Sequence, residues 1–325
     1  MNPRSAAPAT DAAESLAVQD FWAGLRHTTQ ARIGLGRTGD ALPTREVLEL
    51  RAAHAAARDA VHNPLDVGSF AAEIAALGLG NPVHVRSRAA DRSEYLRRPD
   101  LGRLPADSRP VGSASNAEPF GVPRIPPHAG DVARTGAPHP AVGASNGADG
   151  VAEEMEGASA GALSAIPATH ADIGVVLADG LSPRALTEHG VPMLAALVEM
   201  LGERYTFAPP VIATQARVAL GDHIGAALGV RTVLVLIGER PGLSVADSLG
   251  IYLTHLPRPG RADSERNCVS NIHPPEGLGY RRAAQVVAGL VAGARRLGRS
   301  GVDLKDTSGE SALVAADMME LAEPA

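Results

Sequence analysis

The chain has 325 residues, 45% of them apolar, with a formal charge of −6, a pI near 6.0 and a mean hydropathy of −0.01. That length fits one large domain or two ordinary ones, and the acidic balance offers no electrostatic footprint for DNA or RNA. A solitary cysteine, Cys268, excludes an internal disulfide framework and any cysteine-rich metal site, and no apolar run approaches the roughly 20 residues that span a bilayer.

Residues 1–15, MNPRSAAPATDAAES, read as disordered and lack the apolar core of a secretory signal, which points to a bacterial cytoplasmic protein. Leu16 to about Arg26 predicts a short helix carrying the only tryptophan, Trp22. Beyond Pro43, the residues Val47, Leu50, His54, Ala57 and Val61 recur at spacings of three and four. That spacing predicts a helix from Thr44 to His62 with this face turned inward. A further Ala/Leu-rich helix is expected near Phe70–Leu77. Residues 16–105 therefore read as a small helical N-terminal domain.

Residues 106–168 have a different character. Gly, Ala, Ser and Pro dominate, and apolar periodicity disappears. Such a stretch cannot bury enough surface to offset an ordering entropy of roughly 1–2 kcal/mol per residue, so it is expected to be a flexible linker.

From 169 to 306 strands and helices alternate. Ile173–Leu177 predicts a strand, and a helix from Pro183 to Leu201 should break near Gly190 and Pro192. Phe207–Ala213 is a second strand and Val218–Leu228 a short helix holding Asp222. Thr232–Ile237 is a strand buried on both faces, and Ile251–Leu256 alternates weakly, as an edge strand would. Ala283, Val287, Leu290, Ala294 and Leu297 line one face of a closing helix, Tyr280–Leu297. The expected fold class is α/β: a mostly parallel, Rossmann-like sheet flanked by helices, preceded by the helical N-terminal domain. Residues 307–325 read as an accessory tail.

Two familiar patterns mislead. Gly34-Leu-Gly-Arg-Thr-Gly39 matches GxGxxG, yet the segment before it, His27–Ile33, is too polar for the buried strand a dinucleotide fingerprint needs. Gly157-Ala-Ser-Ala-Gly161 matches GxSxG inside the low-complexity stretch, without the strand–turn–helix that strains a nucleophile. None of the eleven histidines falls in HxH, HxxxH or HExxH spacing, and no metal-ligand cluster is apparent. What remains is polar: Asp179–Ser182 after the first strand, Glu239 and Arg240 after the buried one, Pro257–Arg266, and Arg266–Ile272 around the lone thiol. Placed at one sheet edge, these loops would assemble a polar ligand site.

The segments ARIGLGRTG (Ala31–Gly39), LPTREVLELRAAHAAARDAVH (Leu42–His62), EYLRRPDLGR (Glu94–Arg103), ADGLS (Ala178–Ser182), RVALGDHIG (Arg217–Gly225), LIGERPGL (Leu236–Leu243), PRPGRADSERNCVSNI (Pro257–Ile272) and GVDLKD (Gly301–Asp306) resemble the small (light) subunit of ethanolamine ammonia-lyase. That resemblance implies an adenosylcobalamin-dependent lyase that converts ethanolamine to acetaldehyde and ammonia by radical chemistry, in ethanolamine catabolism. It implies a hetero-oligomer in which a TIM-barrel large subunit binds substrate while the small subunit caps the cofactor within a 169–306 cobalamin-binding domain. The cobalamin contacts it implies are Val218, Glu239 and Cys268, with no catalytic residue and no metal ligand in this chain. No nucleic acid or membrane partner is expected. A bacterial microcompartment is a second location compatible with the resemblance. The spacing between Arg98 and Asp179 is longer than the family pattern, and the excess is the Gly/Ala/Ser/Pro stretch.

Those roles suit the residues. The corrin rim carries amides, and a carboxylate such as Glu239 accepts from an amide N–H more strongly than a neutral group does. Val218 offers apolar contact, and Cys268 acts through its backbone or as a small apolar group. Two competing readings make different demands. An independent nucleotide-binding oxidoreductase would need a strand before Gly34. A microcompartment-associated structural protein would be targeted through Leu16–Arg26.

Overall fold

The computed structural model describes residues 9–106 and 163–306. Most of the expected linker, the GxSxG match at Gly157–Gly161, the first eight residues and the tail from 307 lie outside the described residues. The N-terminal part holds helices α1 (Ala9–Arg26), α2 (Thr44–His62) and α3 (Val67–Ala75), strand β1 (Val83–Arg86) and the short helix α4 (Arg92–Arg97). Asp66 and Asp91 cap α3 and α4, each accepting from the backbone N–H three residues on. After a 3-10 turn at Leu163–Ala165 come β2 (Ile173–Ala178), α5 (Pro183–Leu201), β3 (Val211–Thr214), α6 (Leu220–Leu228), β4 (Thr232–Gly238), β5 (Leu249–His255), β6 (Asn267–Ile272) and α7 (Tyr280–Leu297).

All six strands form one sheet in the order β1-β3-β2-β4-β5-β6. The pairs β1–β3, β3–β2 and β2–β4 are parallel; β4–β5 and β5–β6 are antiparallel. The sheet is therefore mixed, which corrects the mostly parallel, Rossmann-like expectation. Nothing in the apolar run of β4 distinguishes a parallel from an antiparallel neighbour, because both bury it on two faces. The connection that decides is the one between β4 and β5. It contains no helix, so the chain returns antiparallel. Residues 83–86, in the segment read as helical, supply the edge strand beside β3.

Alternation along the strands divides the core in two. Ile173, Val175, Leu177, Leu234, Leu236, Leu249, Ile251, Leu253, Val269 and Ile272 face helices α5 and α7. Val176, Ala178, Val211, Ala213, Val233, Val235 and Ile237 face α6 on the other side, with Ile166 from just after the 3-10 turn. The helix α5 runs unbroken through Gly190 and Pro192, because its long apolar face packs on the sheet and Phe70 of α3 seats against Gly190. Tertiary burial outweighs the local cost of one proline. In α2 the inward face passes through Ala53 and Ala60, while His54, expected inward, is exposed.

Two outcomes test this packing. Val235→Asp places an unpaired charge at a site 1% exposed, costing several kcal/mol of a total stability of about 5–15 kcal/mol. No soluble native chain is expected by circular dichroism, and a folded variant would contradict the two-faced burial of β4. Burial also holds the imidazoles of His84, His189, His223 and His255 below their ordinary value of 6.5. A folded-state pKa below the unfolded one means that protonation favours the unfolded chain. Stability should be complete above the ordinary imidazole range and fall as pH drops through about 6.5. Urea midpoints at neutral and mildly acidic pH measure this, and equal midpoints would count against it.

Candidate functional site

The order β3-β2-β4 makes the carboxyl end of β2 the point where chain connections diverge to opposite sides, the usual ligand crevice of open sheets. Here that crevice is closed. Gly180 (φ +56°) lies so close to the Gly238 carbonyl that a β-carbon would overlap it, a conformation and a contact suited to glycine. Asp179 is 3% exposed and accepts from the backbone N–H groups of Gln215 (2.8 Å) and Ala216 (3.0 Å). Arg92 of α4 lies 3.5 Å from it and donates to the carbonyls of Gly180 (2.8 Å) and Val61 (2.7 Å). Burial pushes the Asp179 carboxyl up, opposed by Arg92 and by the backbone donors. The ADGLS turn is thus a clamp between the sheet and the N-terminal helices. The Asp179 oxygens described here serve the fold.

The Pro257–Arg266 loop is not beside this turn. Because β5 is antiparallel, Thr232 pairs with His255, so the loop leaves from the opposite end of the sheet. Its charges are consumed locally: Arg261 pairs with Glu265 and caps the carbonyls of His255 and Leu256. Arg266 forms a fully buried ion pair with Asp222 of α6 and also binds Asp263. The expectation that these polar loops share one sheet edge is corrected accordingly.

Arg266–Ile272, read as a polar run, contains the edge strand β6. Asn267 donates from Nδ2 to the carbonyls of Gly301 (3.1 Å) and Leu304 (3.0 Å) and accepts from Gly301 N (2.8 Å), fixing the GVDLKD segment. The pairing slips between Leu249/Ile251 on β5 and Val269/Ile272 on β6, where β6 carries an extra residue. This bulge puts Val269 and Ile272 on the same core face despite their odd separation, and Asn271 adopts φ +63°. Its backbone N–H then reaches Glu239.

On the sheet face shared with α6, Val235, Tyr252 and Cys268 form a cross-strand row. Val218, in the turn before α6, and Tyr252 both pack against the core of this face. Glu239 leaves β4 and lays its carboxylate over Gly250, where a β-carbon would come 2.9 Å from Oε1. Its Oε2 accepts from Ser248 Oγ at 2.5 Å and from Asn271 N at 3.3 Å. Tyr252 sits opposite Cys268 on the neighbouring strand, and burial, with Cys268 and Glu239 beside it, has the phenol pushed up to about 12. Partial desolvation by its neighbours raises the Cys268 thiol, opposed by the Tyr252 hydroxyl and reinforced by Glu239. The thiol is free, and Cys268, Ser270 and Asn271 are exposed. Val218, Glu239 and Cys268 thus share one face, while Ser248, Gly250, Tyr252 and Asn271 complete it. Sequence reasoning missed Ser248, Gly250 and Tyr252, although the alternation of LGIYLTH carries Tyr252's place; Asn271 lies within the polar run Arg266–Ile272.

The family model described as "Ethanolamine ammonia-lyase light chain" matches residues 19–116 and 151–305. The chain belongs to this family. The ethanolamine ammonia-lyase small subunit of Rhodococcus erythropolis is 56% identical over 304 residues, covering 94% of this chain and 97% of that one. The ethanolamine ammonia-lyase small subunit of Ralstonia nicotianae is 40% identical over 293 residues, covering 89% and 90%. Within the ethanolamine ammonia-lyase light-chain match, the gap at 117–150 falls in the stretch that makes the Arg98–Asp179 spacing long. The oxidoreductase alternative fails on structure as well, since residues before Gly34 form a loop and no strand.

The pairing of Tyr252 with Cys268 has a direct readout, because the chain has no other thiol. Tyr252→Phe removes the donor that stabilises the thiolate, so the pH profile of reaction with a disulfide reagent should move to higher pH. An unchanged profile would show that the hydroxyl does not act on Cys268.

Proposed function

We propose that this chain is the small subunit of an adenosylcobalamin-dependent ethanolamine ammonia-lyase and caps the corrinoid at the interface with a TIM-barrel large subunit. The observation that carries the reading is the convergence of Val218, Glu239 and Cys268. They lie far apart in sequence, yet all reach the α6 side of the sheet, where β5 and β6 extend its surface. The location consistent with this reading is the bacterial cytoplasm, or a microcompartment within it, in ethanolamine catabolism.

The residues fit the group. Gly250 leaves the space in which the Glu239 carboxylate lies, and Ser248 and Asn271 hold that carboxylate through Oε2. Oε1 is then the oxygen to accept from an amide at the corrin rim, a charge-assisted bond. Val218 and the Tyr252 ring supply apolar contact, and Cys268 a small, polarizable edge. Bound adenosylcobalamin supplies the radical chemistry. This chain's part is to bind, orient and exclude water. Its one free thiol, Cys268, stands at the exposed edge of this face with its pKa raised, which disfavours the reactive thiolate.

Glu239→Ala should weaken cobalamin affinity of the assembled enzyme by about 10- to 150-fold, the loss of a charge-assisted hydrogen bond of about 1.5–3 kcal/mol, while the chain stays folded. An unchanged dissociation constant would refute the assignment. The chain alone should show no deamination and gain it when mixed with a large subunit and adenosylcobalamin.

A further inference from the structure

We propose a divalent transition-metal site, of zinc-binding chemistry, formed by Glu188, His189 and Asp247. It lies on the α5/α7 side of the sheet and is independent of the corrinoid reading. Glu188 and His189 come from the second turn of α5, and Asp247 from the connection between β4 and β5. One ligand atom from each lies within 4.8 Å of the other two. Two carboxylates and an imidazole form a donor set that suits zinc, leaving a fourth position for water.

The second observation is the histidine itself. His189 is only 7% exposed, and its Nε2 has no hydrogen-bond partner. A buried imidazole nitrogen without a partner is costly unless something takes its lone pair. Its other nitrogen, Nδ1, lies 2.8 Å from the hydroxyl of Tyr280, the first residue of α7. With Nδ1–H donating to that oxygen, Nε2 keeps its lone pair and the ring is held in orientation, the usual outer-shell support of a ligating histidine. Burial also favours the neutral imidazole that ligation requires.

Arg184 lies beside the cluster, with Nε 2.7 Å from Glu188 Oε1 and Nη2 3.3 Å from Asp247 Oδ2. One guanidinium against two carboxylates leaves a net negative charge beside His189. Each carboxylate retains a second oxygen for a cation. The site would tie α5, α7 and the β4–β5 connection together at the sheet end from which Glu239 projects.

The test uses the full-length chain with any tag removed and metal stripped by chelation, titrated with Zn2+ by calorimetry and with Co2+ by visible absorption. One Zn2+ per chain, a rise in melting temperature and cobalt ligand-field bands are expected. His189→Gln should abolish all three, and Tyr280→Phe should weaken zinc binding about tenfold through loss of the orienting bond. Should His189→Gln fail to fold, Glu188→Gln and Asp247→Asn decide, since both change exposed or half-buried groups and each should weaken binding markedly. Absence of zinc binding, or binding unaltered in Glu188→Gln and Asp247→Asn, overturns the proposal.

Discussion

Side chains along a strand point alternately to the two faces of a sheet, and that constraint governs this molecule. Leu249, Ile251, Leu253, Val269 and Ile272 are all committed to the core beneath α5 and α7. Gly250, Tyr252 and Cys268 must therefore face the other way. On that side α6 packs on β2 and β4. The surface from Tyr252 to Cys268 and Ser270 is consequently the part of the sheet on which polar and half-buried groups meet solvent. The functional proposal rests on this surface, and it exists only because two antiparallel strands were added to a parallel core.

Buried ion pairs hold the frame around it. Asp222 and Arg266 are each 2% exposed in their side chains and tie α6 to the start of β6. Asp179 and Arg92 tie the turn after β2 to α4 and, through the Val61 carbonyl, to α2. Such pairs seldom exceed the stability of well-packed apolar replacements, but removing one partner costs about 3–5 kcal/mol. We read them as fixing positions: Asp222–Arg266 sets where β6 begins, and thereby where Cys268 emerges. Glu239 is fixed in the same manner by Ser248 and Asn271, so its carboxylate is directed before any ligand arrives.

Much of this was legible in the residues. The helices Thr44–His62 and Tyr280–Leu297 follow from apolar spacing and appear with the expected bounds. The buried strand at Thr232 follows from composition. The polar run Arg266–Ile272 concealed a strand, because its bulge breaks the alternation by which strands are recognised; Val269 and Ile272 are an odd number of residues apart yet share a face. Weak alternation in Ile251–Leu256 suggested an edge, whereas the strand there, Leu249–His255, is internal and buried on both sides. Asp179 looked like a ligand group because one sequence cannot show that Arg92, far upstream, arrives to neutralise it. Val218, Glu239 and Cys268 came from family resemblance; their shared face became visible only in three dimensions.

The central claim is that a corrinoid covers the Tyr252–Cys268 face. It is tested most directly by following modification of Cys268 by a thiol reagent, peptide by peptide in a mass spectrometer, in the assembled enzyme with and without cobalamin. Protection of Cys268 on cofactor binding is the expected result. A rate unaltered by bound cobalamin would mean that the cofactor lies elsewhere, and would contradict the proposal.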